Sequence, residues 1–554
     1  MKRRDFIKNA SLALSAAFVP NIAFPSFLRG GAPLNNVLYN GVALPDVWPP
    51  RNIGMNYDPM PTPYLINRPE IIPIDLGRQL LVDNFLIEQT DMERRSYTPR
   101  KMSFNPVLKP ETELEQGIYG IPGASAKDGG VWWDPKDQLF KMWYEAGWLH
   151  RMAYATSKDG IYWERPNLDI VPGTNQIVPE IVADSSTVWL DHFTQNDEER
   201  FKMFLRSPNS IPGSTERFNY GFSMVSPDGI HWGKPVKTGP CGDRSTMFYN
   251  PFRQKWVYSL RNPENINRVP IGRFRYYHEH SNFLEGAKWT KEDLIFWLGA
   301  DYLDDPDPYI GDKAQLYNLS AVPYESIMLG FFSVWQGPEN DVCASDNVIK
   351  RNQVMVGYSR DGYSWFREDM NPFHAVNTTT SDAWNQGNLQ SVAGAPLIVG
   401  DKLYFYLSGR RLRGTQEITT TGLATLRRDG FASMKGTGEL QTPLLKFDGS
   451  YFFVNANVTG EMKVELLDSN NKVIEGFSKD ECKAFKGDNV KAKIEWTGNA
   501  SLASLKNKQL KVKFYIDNGE IFAFWISPSA NGESMGYTAG GGPGLNISGI
   551  DKTN

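Results

Sequence analysis

Alternation of apolar and polar positions is the dominant signal along this chain. Runs such as Phe140-Lys-Met-Trp-Tyr-Glu145, Phe201-Lys-Met-Phe-Leu-Arg206 and Trp256-Val-Tyr-Ser-Leu-Arg261 are short and rich in aromatic residues. An earlier apolar run precedes each of them; two of these close at the Asp134-Pro135 and Asn250-Pro251 turns. Period-two patterning, aromatic enrichment and Asp-Gly turns together predict antiparallel strands.

A third run in each unit ends in a recurring turn, S-x-D-G-x-x-W. It reads Ser157-Lys-Asp159-Gly160-Ile-Tyr-Trp163, Ser226-Pro-Asp228-Gly229-Ile-His-Trp232 and Ser359-Arg-Asp361-Gly362-Tyr-Ser-Trp365. Degenerate copies lie at Ser281 to Trp289 and at Arg428-Asp429-Gly430-Phe431. The period is about 67 residues, which makes five units of four strands each. The fold class expected is therefore all-β: a five-bladed β-propeller over residues 116–435. In the repeated turn, Asp can bond the turn backbone, Gly can take a positive φ and Trp can pack between blades, so these residues read as scaffold. The turn resembles the Asp-box of sialidases, which is also a fold element.

The flanks divide in the same way. Residues 29–115 form an N-terminal extension, in which Gln79–Ile87 reads as a strand that completes the last blade and closes the ring. Residues 436–532 hold five short strands, at Tyr451–Val454, Met462–Leu467, Val490–Ile494, Leu510–Tyr515 and Ile521–Trp525, and predict a β-sandwich. Residues 533–554 read as a Gly-rich irregular tail. At the other end, Arg3 and Arg4 precede Phe6-Ile7-Lys8 and a weakly apolar stretch. Residues 1–28 thus resemble a bacterial twin-arginine export signal, which implies a periplasmic or extracellular protein.

Composition narrows the function classes. With 59 basic and 63 acidic residues the net charge is −4, which argues against a nucleic-acid partner. Three cysteines cannot build a disulfide framework. Beyond the N-terminus no apolar run approaches the ~20 residues of a membrane span. Only His278-Glu-His280 brings two of the six histidines close together, and no metal site is assigned. Phosphate-loop, dinucleotide, H-E-x-x-H and nucleophile-elbow motifs are absent, so no cofactor is expected. A structural Ca²⁺ at the propeller centre would leave no sequence signature and is compatible with this reading.

Antiparallel blades put the start of strand one and the end of strand two on one face. Asp128, Asp184 and Asp243 enter the first strands of three successive units, with Arg244 beside the last. Glu145, Arg206 and Arg261 end the second strands, and unit four offers Asp312 and Gln315. Inner strands converge on the propeller axis, so these groups are expected around one funnel. Unit one is uneven: the strict match to Asp184 and Asp243 is Lys127, and Asp128 comes one residue later. Trp132, Trp133, Trp143 and Trp148 add aromatic surface, with Trp148 assigned to substrate and Trp132 or Trp133 to blade packing. Glycoside cleavage needs such a set: one carboxyl protonates the leaving oxygen and another acts as nucleophile or base. Neighbouring charges tune the acid. Arg206, Arg244 and Arg261 would hold ring hydroxyls or a substrate carboxylate.

With five blades, acidic residues entering the inner strands and a trailing sandwich, the chain resembles the five-bladed glycoside hydrolases of the invertase/levanase and arabinanase/xylosidase superfamily. The resemblance covers residues 75–530 as architecture. It implies Asp128 as nucleophile or base, Asp184 as pKa modulator and Asp243 or Glu145 as acid. The chain departs from the invertase pattern. It has no W-x-N-D-P-N-G, Asp243-Arg244 reverses the R-D-P order, and no Glu-Cys pair lies in the propeller, since Cys343 follows Val342 and Glu481-Cys482 falls in the sandwich region. A divergent branch acting on another glycan is implied. The expectation is an exported glycoside hydrolase acting on an oligo- or polysaccharide, with furanosides among the substrates considered. The alternatives are a non-catalytic glycan-binding propeller and a sialidase-like hydrolase.

Overall fold

The computed structural model describes residues 36–553, except 52–53, 209–218, 264–270, 305, 307–312, 378–379, 381, 412–415 and 499–500. The export-signal segment and Asp312 lie outside the described residues. The described chain is nearly all β; its α-helices, such as Glu113–Gln116 and Asn340–Ser345, are only four to six residues long.

Successive stretches of chain build successive antiparallel sheets. In the first, Leu139–Ala146 pairs with Ala124–Ser125 and Val131–Asp134 on one side and with Arg151–Ser157 on the other. The second runs Ser185–Leu190, Phe201–Arg206, Tyr220–Ser226, Val236–Pro240; the third runs Thr246–Asn250, Lys255–Arg261, Phe274–His280, Ile295–Gly299. A nine-stranded sheet follows, made of two groups. Gln315–Glu325, Ile327–Gly337 and Arg351–Ser359 form one, and Gly387–Val392, Lys402–Arg411 and Ile418–Arg427 the other. A single parallel pair, Asn352 with Asn388, joins them.

The first strands of neighbouring sheets lie against one another in chain order, from Val131–Asp134 round to Gly387–Val392. The circle returns to its start through the Asp128 carbonyl, which accepts from the Gly394 amide at 3.2 Å. The last group gains an outer strand from the N-terminal extension, but it is Arg100–Lys101, which pairs with Ala424 and Thr425. The expected closing segment, Gln79–Ile87, instead supplies Gln79–Leu80 to the C-terminal sheet, opposite Phe524 and Ala523. Its apolar side chains are the reason: Leu81, Phe85 and Leu86 are buried in the C-terminal core, whereas the outer strand of the ring carries Arg and Lys.

The repeated turns act as scaffold. Asp159 Oδ1 accepts from the amides of Ile161 and Tyr162 at 2.8 and 2.9 Å, and Asp228 does the same for Ile230 and His231. Asp361 accepts from Tyr363 and Ser364 at 2.8 and 2.7 Å. The following glycines have φ of 74°, 82° and 76°, in the region that favours glycine. These turns also tie sheets together: Trp143 Nε1 donates to the Gly229 carbonyl at 2.6 Å and Trp297 Nε1 to the Tyr363 carbonyl at 2.9 Å. The fifth copy is different. Asp429 accepts from Arg78 at 2.8 Å and from the Tyr324 hydroxyl at 2.6 Å.

Ala432–Gln441 and the long strands that follow it belong to one seven-stranded sheet, while Leu444–Lys446 pairs in parallel with Ile71–Pro73 and Tyr537–Thr538 joins the nine-stranded sheet. Four of the short strands read from the sequence are two long ones, Tyr451–Leu467 and Lys511–Ser527. Their register shifts between Val458 and Met462, so irregular residues that look like a break are carried within a strand. The Gly-rich tail is an ordered wedge. Gly540 accepts from Trp133 N and donates to the Pro396 carbonyl, both at 3.0 Å, so it sits on the seam between the first and last strand groups.

Candidate functional site

The ends of the second strands lie opposite the starts of the first. Glu145 pairs with Ser125 and Arg206 with Ser185, and Asp184 N donates to the Arg206 carbonyl at 2.9 Å. Gly242 N donates to the Arg261 carbonyl at 2.9 Å, which brings Asp243 beside Arg261. Glu145, Asp184, Asp243, Arg206, Arg244 and Arg261 are thereby gathered into one electrostatically connected cluster.

Glu145 is buried. Its Oε1 accepts from the Leu149 amide at 2.7 Å and its Oε2 lies 3.0 Å from Lys127 Nζ. Burial, reinforced by the Asp184 charge and opposed by Lys127, pushes its pKa up to about 7. Asp184 is also raised: burial and the Asp243 charge outweigh Lys127, Arg206 and Arg244. Asp243 behaves in the opposite way. Burial alone would raise it, but Arg261, Arg273, Arg206 and Arg244 hold it below the usual carboxylate range. It is ion-paired with Arg261 and accepts from the Tyr317 hydroxyl at 3.3 Å, with a quarter of its side chain exposed.

Asp128 is placed differently. Its side chain has no exposed area, and its Oδ1 accepts from Arg244 Nη2 at 2.7 Å and from Asn318. Burial outweighs Arg244, Lys127 and Arg275 and raises it to about 6. Lys127, not Asp128, occupies the position equivalent to Asp184 and Asp243, and its ammonium faces Glu145. Both residues lie in the turn between Ala124–Ser125 and Val131–Asp134, where Lys127 has a left-handed φ of 53°, so strand alternation does not set the direction of either side chain.

Gln315 stands back from the carboxylates and fixes Arg273, to which its Oε1 is bonded at 2.9 Å while Glu339 holds the same guanidinium at 2.8 and 3.0 Å. Trp148 is half-buried between two cations, Lys127 at 4.3 Å and Arg410 at 4.0 Å from its ring. Trp132 and Trp143 are sealed in the core, so they are not site surface. Lys127 enters the sequence pattern only as an irregularity of unit one, and Tyr317, Asn318, Arg273 and Arg275 do not enter it at all. Tyr317 and Asn318 lie near the start of the fourth unit's first strand, where aligning strand starts rather than turns would have found them.

Among the described residues no group of three His, Cys, Asp or Glu could hold a metal ion, and no helix is long and apolar enough to cross a membrane. A separate cavity of about 170 Å³ lies away from the carboxylates, against Trp297, Trp365 and Arg367.

No protein-family model and no curated protein matches the chain. It is similar to several solved structures. An N-acetylgalactosamine deacetylase from F. plautii shares 12% identity at a TM-score of 0.43, over 61% of this chain and 96% of that one. A thermostable family-43 glycoside hydrolase shares 14% at 0.37, over 56% and 96%. A fructofuranosidase from Schwanniomyces occidentalis shares 11% at 0.31, over 77% and 97%. These likenesses are distant in both sequence and backbone.

Proposed function

We propose that this protein is an exported glycoside hydrolase, built as a five-bladed propeller with a trailing sandwich, whose funnel holds Glu145 as general acid and Asp243 as the ionised carboxylate. One observation carries this reading: two carboxyl groups of one cluster are pushed in opposite directions, Glu145 up to about 7 and Asp243 down. That is the division of labour that glycoside cleavage requires. Protonated Glu145 gives its proton to the leaving glycosidic oxygen as the bond to the anomeric carbon breaks. Asp243 attacks that carbon or deprotonates the water that does. Asp184, itself raised by the Asp243 charge, raises Glu145 in turn and takes the part of modulator. Asp128 has a positioning role, since its carboxylate anchors Arg244.

The test is hydrolysis of a panel of aryl glycosides, furanosides included, and of oligosaccharides by the wild type, Glu145→Gln and Asp243→Asn. Turnover lost in both variants with binding retained supports the assignment. Variants as active as wild type would remove the site, and binding without turnover in the wild type would mark a glycan-binding protein instead.

A further inference from the structure

The cluster is crowded with cations. Lys127 faces Glu145, Arg261 pairs with Asp243 and Arg273 is held by Glu339. Arg206 acts on Asp184 and Asp243, while Arg244 acts on these and on Asp128. Arg275, fully buried, donates to the Arg244 carbonyl at 2.9 Å and adds its own charge beneath. The bases feel one another: burial, with Arg261 and Arg244 adding to it, brings Arg275 down to about 9. Lys350, 4.8 Å from the Trp335 ring on which Arg273 also stacks, is brought down to about 7 by burial, Arg410 and Arg273.

Arg244 shows where acceptors are missing. Its Nη2 donates to Asp128 Oδ1, the Gln390 carbonyl and Ser391 Oγ, at 2.7, 3.0 and 3.0 Å. Its Nε and Nη1 are buried with no hydrogen-bond partner, and the residue is 1% exposed. The guanidinium lies 5.7 Å from the ring of Tyr317, whose hydroxyl reaches Asp243, so Arg244 packs directly against the carboxylate cluster. A buried guanidinium with unused donors is costly until an acceptor arrives. A sugar hydroxyl would answer the hydrogen bonds alone, whereas an oxyanion would also meet the crowd of cations around them.

We infer that the site takes a glycan bearing an anionic group, a uronate carboxylate or a sulfate ester, held by Arg244 together with Arg206 next to the bond to be cleaved. This rests on the glycosidase reading of the same cluster. The test is calorimetric binding of the full chain to galacturonan and glucuronan oligosaccharides, their carboxyl-reduced forms and sulfated galactan oligosaccharides, at low and high salt. An anionic ligand is expected to bind about tenfold or more tightly than its neutral counterpart, with an advantage that shrinks in salt and in Arg206→Gln. The comparison between ligands does not depend on any variant folding. The arm that binds distinguishes carboxylate from sulfate. Equal or weaker binding of every anionic ligand overturns the inference, and the glycosidase reading then stands or falls on whether neutral glycosides are cleaved. Anionic preference without turnover of any glycan keeps the inference and removes the catalytic reading.

Discussion

Lys127 Nζ lies 3.0 Å from Glu145 Oε2, both side chains are buried, and the same ammonium stands 4.3 Å from the Trp148 ring. Lys127 reaches this place with φ of 53°, so its backbone is itself strained into the left-handed region. The ion pair opposes the burial that raises the proton affinity of the proposed acid.

Lys127→Met removes the charge that opposes protonation of Glu145. The alkaline limb of the kcat/KM profile, which falls as Glu145 ionises near pH 7, is expected to move to higher pH. Breaking a buried pair should also cost roughly 3–5 kcal/mol of stability. A limb that stays in place would detach Glu145 from the chemistry.

Stability itself should depend on Glu145. Its folded pKa, about 7, exceeds the ordinary 4.5, so between these values the folded state binds more protons than the unfolded. Stability is then greatest below pH 4.5 for this group and declines as pH rises toward 7, by on the order of 3 kcal/mol. Urea unfolding across this range should show a shallower decline in Glu145→Gln than in the wild type.

Asp228→Ala tests the scaffold role of the repeated turn. It removes an acceptor for the Ile230 and His231 amides and should cost about 1–2 kcal/mol without changing turnover. Burial raises the Asp228 carboxyl, but His231 and these amides outweigh it and bring the pKa to about 2, below the ordinary 3.8. Its contribution is present above pH 3.8 and is lost as pH falls toward 2. Because the side chain is two-fifths exposed, that contribution is only about 1 kcal/mol. Altered turnover in this variant would contradict the scaffold assignment.

Arg78→Met tests how the N-terminal extension is locked to the rest. Arg78 lies 2.8 Å from Asp429 and 3.5 Å from Glu325, donates to the Val490 carbonyl at 2.8 Å and stacks at 4.2 Å on Trp525. It therefore joins the ring sheets to the C-terminal sheet. A loss of roughly 3–5 kcal/mol is expected, with unfolding of the two parts separated in calorimetry. A single unchanged transition would show that the lock is elsewhere.

The turns were readable because their chemistry is local. An Asp that bonds amides two and three residues ahead and a Gly with positive φ need nothing outside seven residues, as at Ser157–Trp163. The placement of Arg206 beside Asp184 and of Arg261 beside Asp243 also follows from antiparallel pairing within one unit. The outer strand Arg100–Lys101 was not readable, because two charged residues carry no periodicity and their partner lies over 300 residues away. Nor was the direction of the Asp128 side chain, since it depends on the turn at Lys127, whose φ of 53° no pattern in the sequence announces.

Strand pattern, repeat period and turn chemistry are thus properties of short segments, and the linear chain is sufficient for them. Which carboxyl is held neutral and which ionised is not. Glu145 and Asp243 both occur at strand ends, and their opposite shifts arise from burial, from the Asp184 charge that a neighbouring sheet brings to Glu145, and from Arg261, Arg273 and the neighbouring sheet's Arg206 around Asp243. Electrostatic energy depends on distances across space, and only the closed arrangement of the sheets supplies those distances.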